Sequence, residues 1–190
     1  MRPVCYSVAL SLDGYIAGPD GEADWIVMDP GIDFNELFAR FDTVLLGRKS
    51  YEAARRQGGG GMPGMKAYVF STTLRPADCP GATLSDDPGE TVRALKQQPG
   101  KAIWLFGGVV LFRSLLELGL VDQVQVGIVP VLLGDGLPLV EHPSKGAKLE
   151  LTKHRVYEKT GTVLLDYDVK TTSAAKATPR GQSRRPKSHG

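Results

Sequence analysis

Ile103-Trp104-Leu105-Phe106-Gly107-Gly108-Val109-Val110-Leu111-Phe112 is an apolar run broken in its middle by two glycines. Before the glycines no side chain is charged, which suits a strand buried on both faces. After them the apolar positions continue at helical spacing through Leu115 and Leu116 to Gly119. The run therefore predicts a strand over Ala102–Phe106, a glycine turn and a helix over Val109–Leu118. At such a junction the first helical turn leaves its N–H groups unpaired and carries about half a positive charge. Glycine lets an anion reach those groups with no Cβ in the way. A second junction of the same form lies upstream, Val44-Leu45-Leu46-Gly47-Arg48-Lys49-Ser50-Tyr51-Glu52, where Arg48 and Lys49 add charge suited to phosphate. In open α/β sheets such junctions sit at the carboxyl ends of strands, where ligands bind. The pair points to a phosphate-bearing ligand.

Outward from these junctions the chain alternates strand-like and helix-like segments. Val4–Leu10 is rich in β-formers and stops at the turn sequence Ser11-Leu12-Asp13-Gly14. Phe34–Phe38 has helical spacing that Phe41 continues, with Asp33 placed as N-cap. Strands are expected at Thr43–Leu46 and Ala67–Ser71, and helices at Arg48–Arg56 and Pro88–Gln97. Gln123–Val131 alternates and then turns apolar, and Lys148–Tyr157 with Thr162–Lys170 forms a hairpin through Glu158–Gly161. The fold class that follows is α/β, a mostly parallel central sheet flanked by helices with a C-terminal antiparallel hairpin. Gly59, Gly61 and Gly64 match a G-x-G-x-x-G pattern, but it follows a helix and precedes a strand, the reverse of a dinucleotide fingerprint. Gln57–Met65 reads instead as a mobile loop able to act as a lid.

Composition bounds the rest. The 190 residues, 42% hydrophobic and 23% charged, suit one domain over 1–170. No apolar run reaches the roughly 18 residues of a membrane span, and MRPVCYSVALSLDG lacks the layout of a secretory signal. Two cysteines make no disulfide framework, so a cytoplasmic setting is expected. His142, His154 and His189 are scattered, and no metal site is expected. Asp13, Asp24, Asp29 and Asp33 read as turn and cap residues. Residues 171–190 carry Lys176, Arg180, Arg184, Arg185 and Lys187 and no acid. Removing those five from the 23 basic residues leaves 18 against 21 acidic ones. This segment reads as a basic disordered tail, with at most weak affinity for nucleic acid or other acidic surfaces.

SLDGYIAGPDGEADW (11–25), LLGRKSYE (45–52), YVFSTTL (68–74) and LFGGVVLFRSLLELGLVDQVQVGIVPVLLGDG (105–136) together resemble the dihydrofolate-reductase-like superfamily. The branch is that of the bacterial riboflavin-biosynthesis reductase domain and its small stand-alone relatives, and the resemblance runs from about residue 3 to 169. It implies an eight-stranded, mostly parallel sheet, NADPH as hydride donor, and a homodimer. The activity implied is reduction of a small, heterocyclic substrate, similar to 5-amino-6-(5-phosphoribosylamino)uracil reductase. Ala9, Ile16 and Ala17 would line the nicotinamide, and Gly47, Arg48, Lys49 and Ser50 would hold phosphate, with Arg48 nearest the ribose 2′-phosphate. Ser71 and Thr72 would flank the adenosine, while Gly107, Gly108 and Val109 would embrace the pyrophosphate, with a cis bond between the glycines. The sequence departs from the branch at Ser7, where a lysine is usual, and at Phe38, where an arginine is usual. Five residues after Trp25, where dihydrofolate reductases carry an acid, lies Pro30. Asp33 is the nearby acid left as catalytic candidate. The alternative function is a nicotinamide-cofactor-binding protein without turnover, a redox sensor or interaction module.

Overall fold

A computed structural model describes residues 1–56, 58, 62, 64–143 and 146–170. The expected lid at Gln57–Met65 lies mostly, and the expected disordered tail at 171–190 wholly, outside the described residues. In chain order the elements are β1 (Val4–Ser11), β2 (Tyr15–Ala17), α1 (Phe34–Ala39), β3 (Phe41–Gly47), α2 (Arg48–Arg56) and β4 (Lys66–Phe70). Then come β5 (Ala82–Ser85), α3 (Pro88–Gln97), β6 (Ala102–Gly107), α4 (Val109–Glu117), β7 (Gln123–Val129), β8 (Leu137–Pro138), β9 (Lys148–Tyr157) and β10 (Thr162–Lys170). Eight strands form one sheet in the order β5-β4-β3-β6-β1-β7-β10-β9, and β2 pairs with β8 beside it. Every pairing from β5 to β7 is parallel, and β10 pairs antiparallel with both β7 and β9.

The apolar central strands explain where the core sits. Val4, Tyr6, Ile103, Leu105, Val124 and Val126 point to one face and bury against Phe112 and Leu115 of α4 and Val92 and Leu95 of α3. On the other face Val44, Leu46 and Trp104 bury with Tyr51 of α2 and with Phe41. Phe41 does not continue the stripe of α1, as its spacing suggested. The helix ends at Arg40, and Phe41 opens β3, paired with Ala102 and 3% exposed. A six-residue helix that buries no side chain completely cannot compete with the sheet for that ring.

Two early carboxylates tie loops to the sheet. Asp13 accepts from the Ser11 hydroxyl at 2.6 Å, the Leu133 amide at 3.0 Å and the Gly134 amide at 2.7 Å, fastening the β1–β2 turn to the loop after β7. Asp29 accepts from the Gly31 amide at 2.7 Å and from the Thr160 amide and hydroxyl at 3.1 and 3.0 Å, fastening the loop before α1 to the β9–β10 turn. Gly136 makes the neighbouring contact possible, because a Cβ there would lie 2.2 Å from the Ala17 carbonyl oxygen. The Ser11 hydroxyl, followed by the loop amides, holds the Asp13 carboxyl below its ordinary value, and the Gly31 amide does the same for Asp29. A depressed folded-state value contributes stability that is present above the unfolded value of about 3.9 and is lost as pH falls through the folded value. The melting temperature is therefore expected to hold from about pH 7 to 5 and to fall below about pH 4. The double variant Asp13→Asn, Asp29→Asn should start lower and fall less steeply, and a parallel acid titration of both proteins by circular dichroism checks this.

Candidate active site

The carboxyl ends of β3 and β6 lie side by side, and each runs directly into a helix, α2 or α4. Gly47 closes against the second junction, since a Cβ on it would lie 3.3 Å from the Gly108 amide nitrogen and 3.6 Å from the Gly107 oxygen. Gly107 has φ +144°, a region open to glycine, and the Gly107–Gly108 peptide is cis, as the resemblance implied. Gly108 caps α4 without a side-chain hydrogen bond to the first turn, and neither α2 nor α4 carries an acid there. Two helix N-termini thus converge on one spot lined by backbone. A Cβ at Gly107 or Gly108 would approach the Ser50 hydroxyl at 3.5 or 3.3 Å. This cradle suits an anion with close backbone approach, and the donor set fits the diphosphate of a nicotinamide cofactor.

A cleft of about 2170 Å³ opens from the cradle along the sheet. That exceeds the roughly 300–1,000 Å³ of a pocket for one small molecule, so two ligands have room together. All thirteen residues expected at the site line this one cleft. Ala9 on β1 and Ile16 and Ala17 on β2 form one wall, with Gly107, Gly108 and Val109 at the β6–α4 turn. Gly47, Arg48, Lys49 and Ser50 follow at the β3–α2 turn, with Ser71 and Thr72 just past β4. Arg48 and Lys49 are exposed, and Arg48 Nη1 lies 3.1 Å from Glu52 Oε1 one turn along α2. Ser71 Oγ accepts from the Thr73 and Leu74 amides, shaping the turn after β4. Asp33 stands exposed on the cleft's rim, and its carboxylate caps α1 by accepting from the Glu36 amide at 3.0 Å.

The other end of the cleft holds groups the sequence did not single out as a site. Phe34, Phe38, Trp104 and Phe106 form a chain of ring contacts with centroids 5.4–5.8 Å apart. Trp104 is buried beneath the others, and the less buried Phe34, Phe38 and Phe106 offer apolar ring surface to a planar ligand. Beside them Ser7 donates to Gln125 Oε1 at 2.8 Å, and Gln125 Nε2 donates to Asp166 Oδ1 at 2.5 Å. The thiol of Cys5, next to this chain on β1, is pushed up to about 12 by burial, so it is no nucleophile.

Comparison with known proteins gives the family and the fold. The family described as RibD C-terminal domain matches residues 2–164. The uncharacterized protein YyaP of Bacillus subtilis is 34% identical over 178 residues, spanning 87% of this chain and 94% of that protein. Among solved structures, a diaminohydroxyphosphoribosylaminopyrimidine deaminase/5-amino-6-(5-phosphoribosylamino)uracil reductase from Thermotoga maritima aligns with TM-score 0.66 and 20% identity. That match covers 88% of this chain and 57% of the other. Dihydrofolate reductase from Enterococcus faecalis, complexed with NADP(H), aligns with TM-score 0.65 and 16% identity over 89% of this chain and 97% of its own.

Proposed function

The chain belongs to the RibD C-terminal domain family, with a dihydrofolate-reductase-like fold, and on that premise we propose that it is an NADPH-dependent reductase of a small, heterocyclic substrate. The observation that carries this reading is the convergence of two glycine-lined helix starts, free of acids, on a cleft that continues to an aromatic end. Gly47, Ser50, Gly107, Gly108 and Val109 would hold the diphosphate. Arg48 and Lys49 would meet the ribose 2′-phosphate, Ser71 and Thr72 the adenosine, and Ala9, Ile16 and Ala17 the nicotinamide. When bound, the cofactor supplies a hydride to a C=N or C=O bond of the substrate. The chain's own part is to orient the two ligands and to exclude water between them, the aromatic rings holding the substrate flat.

Arg48 gives the reading a test of cofactor choice. Its pair with Glu52 is exposed and weak enough to yield to a phosphate. Arg48→Ala is expected to weaken NADPH by about 1.5–3 kcal/mol, the range of a charge-assisted hydrogen bond, and to leave NADH nearly unchanged. Calorimetric titration of both cofactors into both proteins checks this, and equal losses would remove Arg48 from the 2′-phosphate.

Turnover itself is tested by NADPH oxidation against pteridines, pyrimidines and simple carbonyls, with oxidation expected for a heterocyclic class. One observation favours the second reading, a nicotinamide-cofactor-binding protein acting as a redox sensor or interaction module. The catalytic candidate, Asp33, is exposed and already engaged as a helix cap. Binding without oxidation of NADPH across the whole panel is the outcome that reading expects.

A homodimer belongs to the same proposal. Strand β9 is a sheet edge, and Leu149, Leu151 and Val156 on it are 44%, 50% and 57% exposed. These three exposed apolar side chains, set among the charged residues of β9, offer a partner a surface at the sheet edge. Light scattering at twice the monomer mass is the expected result, and Leu151→Lys should halve it.

A further inference from the structure

The hydrogen-bonded chain on the cleft floor has a direction, and the direction constrains what can bind there. Ser7, Gln125 and Asp166 stand in register on adjacent strands β1, β7 and β10, and all three line the cleft. Gln125 is 4% exposed, so its amide has little access to water and must find its partners inside. A carboxylate offers only acceptors, so Gln125 turns its NH2 group to Asp166, 2.5 Å away. Its carbonyl oxygen then faces Ser7, and Ser7 commits its single hydroxyl proton to that oxygen at 2.8 Å. Ser7 Oγ is left with acceptor lone pairs alone for a ligand in the cleft. Ser7 sits two residues before Ala9 on the same face of β1, and Trp104 Nε1 donates to the Ser7 carbonyl at 3.3 Å. Trp104 and Phe106 meet edge to face beside it, with ring centroids 5.4 Å apart.

We propose that Ser7 is a specificity-determining acceptor for a ring N–H or amino group on a planar substrate. Asp166 is its positioning residue, fixing the polarity of Ser7 through Gln125. The inference deepens the reductase reading and rests on its placing substrate at this end of the cleft. A planar ring that offers only acceptors or a phosphate at Ser7 is disfavoured, because lone pairs would face lone pairs.

The test compares lumazine, a planar pteridine with two ring N–H groups, with 1,3-dimethyllumazine, which lacks both. Fluorescence titrations use the full chain, with and without NADP+. Wild type is expected to bind lumazine roughly tenfold more tightly, the ratio for one hydrogen bond lost with its acceptor left unpaired. Ser7→Ala should erase the preference, while Ser7→Thr, which keeps the hydroxyl, should retain it. Asp166→Asn frees the chain to reverse and should cut the preference several-fold at an unchanged melting temperature. Equal affinities in wild type, a preference that survives Ser7→Ala, or no lumazine binding in either condition would each overturn the proposal. The readout is binding, so it separates from the parent reading. A protein that oxidises NADPH but shows no preference would remove this inference alone. One that shows the preference but never oxidises NADPH would remove the reductase reading alone.

Discussion

Gly108→Ala is expected to weaken NADPH binding by at least ~100-fold in a protein that still folds. The residue has φ −91°, which alanine adopts without difficulty. Among the described residues its new methyl would meet the Ser50 hydroxyl, at 3.3 Å. The structural cost is then of the order of 1 kcal/mol. On the ligand side the same methyl stands at the start of α4, where a diphosphate must come within hydrogen-bond distance of the first-turn amides. Neighbouring glycines separate the two effects less cleanly. A side chain at Gly107 would be strained at φ +144°, and one at Gly47 would press on the Gly108 backbone at 3.3 Å. NADPH affinity measured beside a melting curve for Gly108→Ala decides the matter. Wild-type affinity in the folded variant would remove the cradle from cofactor binding.

Asp42→Ala is expected to have the opposite signature, a large loss of stability with cofactor affinity unchanged. At the end of the sheet away from the cleft, Arg2 is 7% exposed. Its guanidinium pairs with Asp42 and donates to Thr43 Oγ1 at 2.8 Å and to the Lys101 carbonyl at 2.7 Å. Asp42 also accepts from the Lys101 amide at 2.8 Å. Burial raises the Asp42 carboxyl, but the Lys101 amide, the Thr43 hydroxyl and Arg2 outweigh it and hold it below its ordinary value. Removing the carboxylate leaves a buried cation without its counter-charge. Breaking such a pair costs about 3–5 kcal/mol, and partial exposure of Asp42 at 36% brings the expectation to about 2–4 kcal/mol. Urea unfolding of the variant with a parallel NADPH titration checks both halves. A stability change under about 0.5 kcal/mol would show that the pair is not a structural anchor.

Most of the sheet was legible because its signals are local. The two strand–glycine–helix junctions announce themselves by an apolar run, a breaker and a helical period, and the helix at Pro88–Gln97 begins at its proline behind the Asp87 cap. The hairpin strands Lys148–Tyr157 and Thr162–Lys170 also match their expected bounds. Strand β5 was not legible. Ala82–Ser85 has four residues, none fully buried, and among the described residues it pairs on one side, with β4, so it shows neither a run nor an alternation. The pair β2–β8 is shorter still, and its position depends on Gly136 meeting Ala17 across the chain. Phe41 misled because a helical period and a buried strand start can share one apolar residue.

The candidate site divides along the same line. Glycines and cations at the junctions could be picked out because the chemistry of a helix start is written in consecutive residues. The Ser7–Gln125–Asp166 chain could not, since its members are 118 and 41 residues apart and meet only through strand register. Ser7 was visible only as a missing lysine. Asp33 was visible both as a cap and as a catalytic candidate, and the observed hydrogen bond is the cap.

Calorimetric titration of the full chain with NADPH and with NADH tests the central claim, that the two glycine junctions form a nicotinamide-cofactor cradle. One saturable site per chain is expected, with NADPH bound at least ~10-fold more tightly than NADH through Arg48 and Lys49. No saturable binding of either cofactor would contradict it.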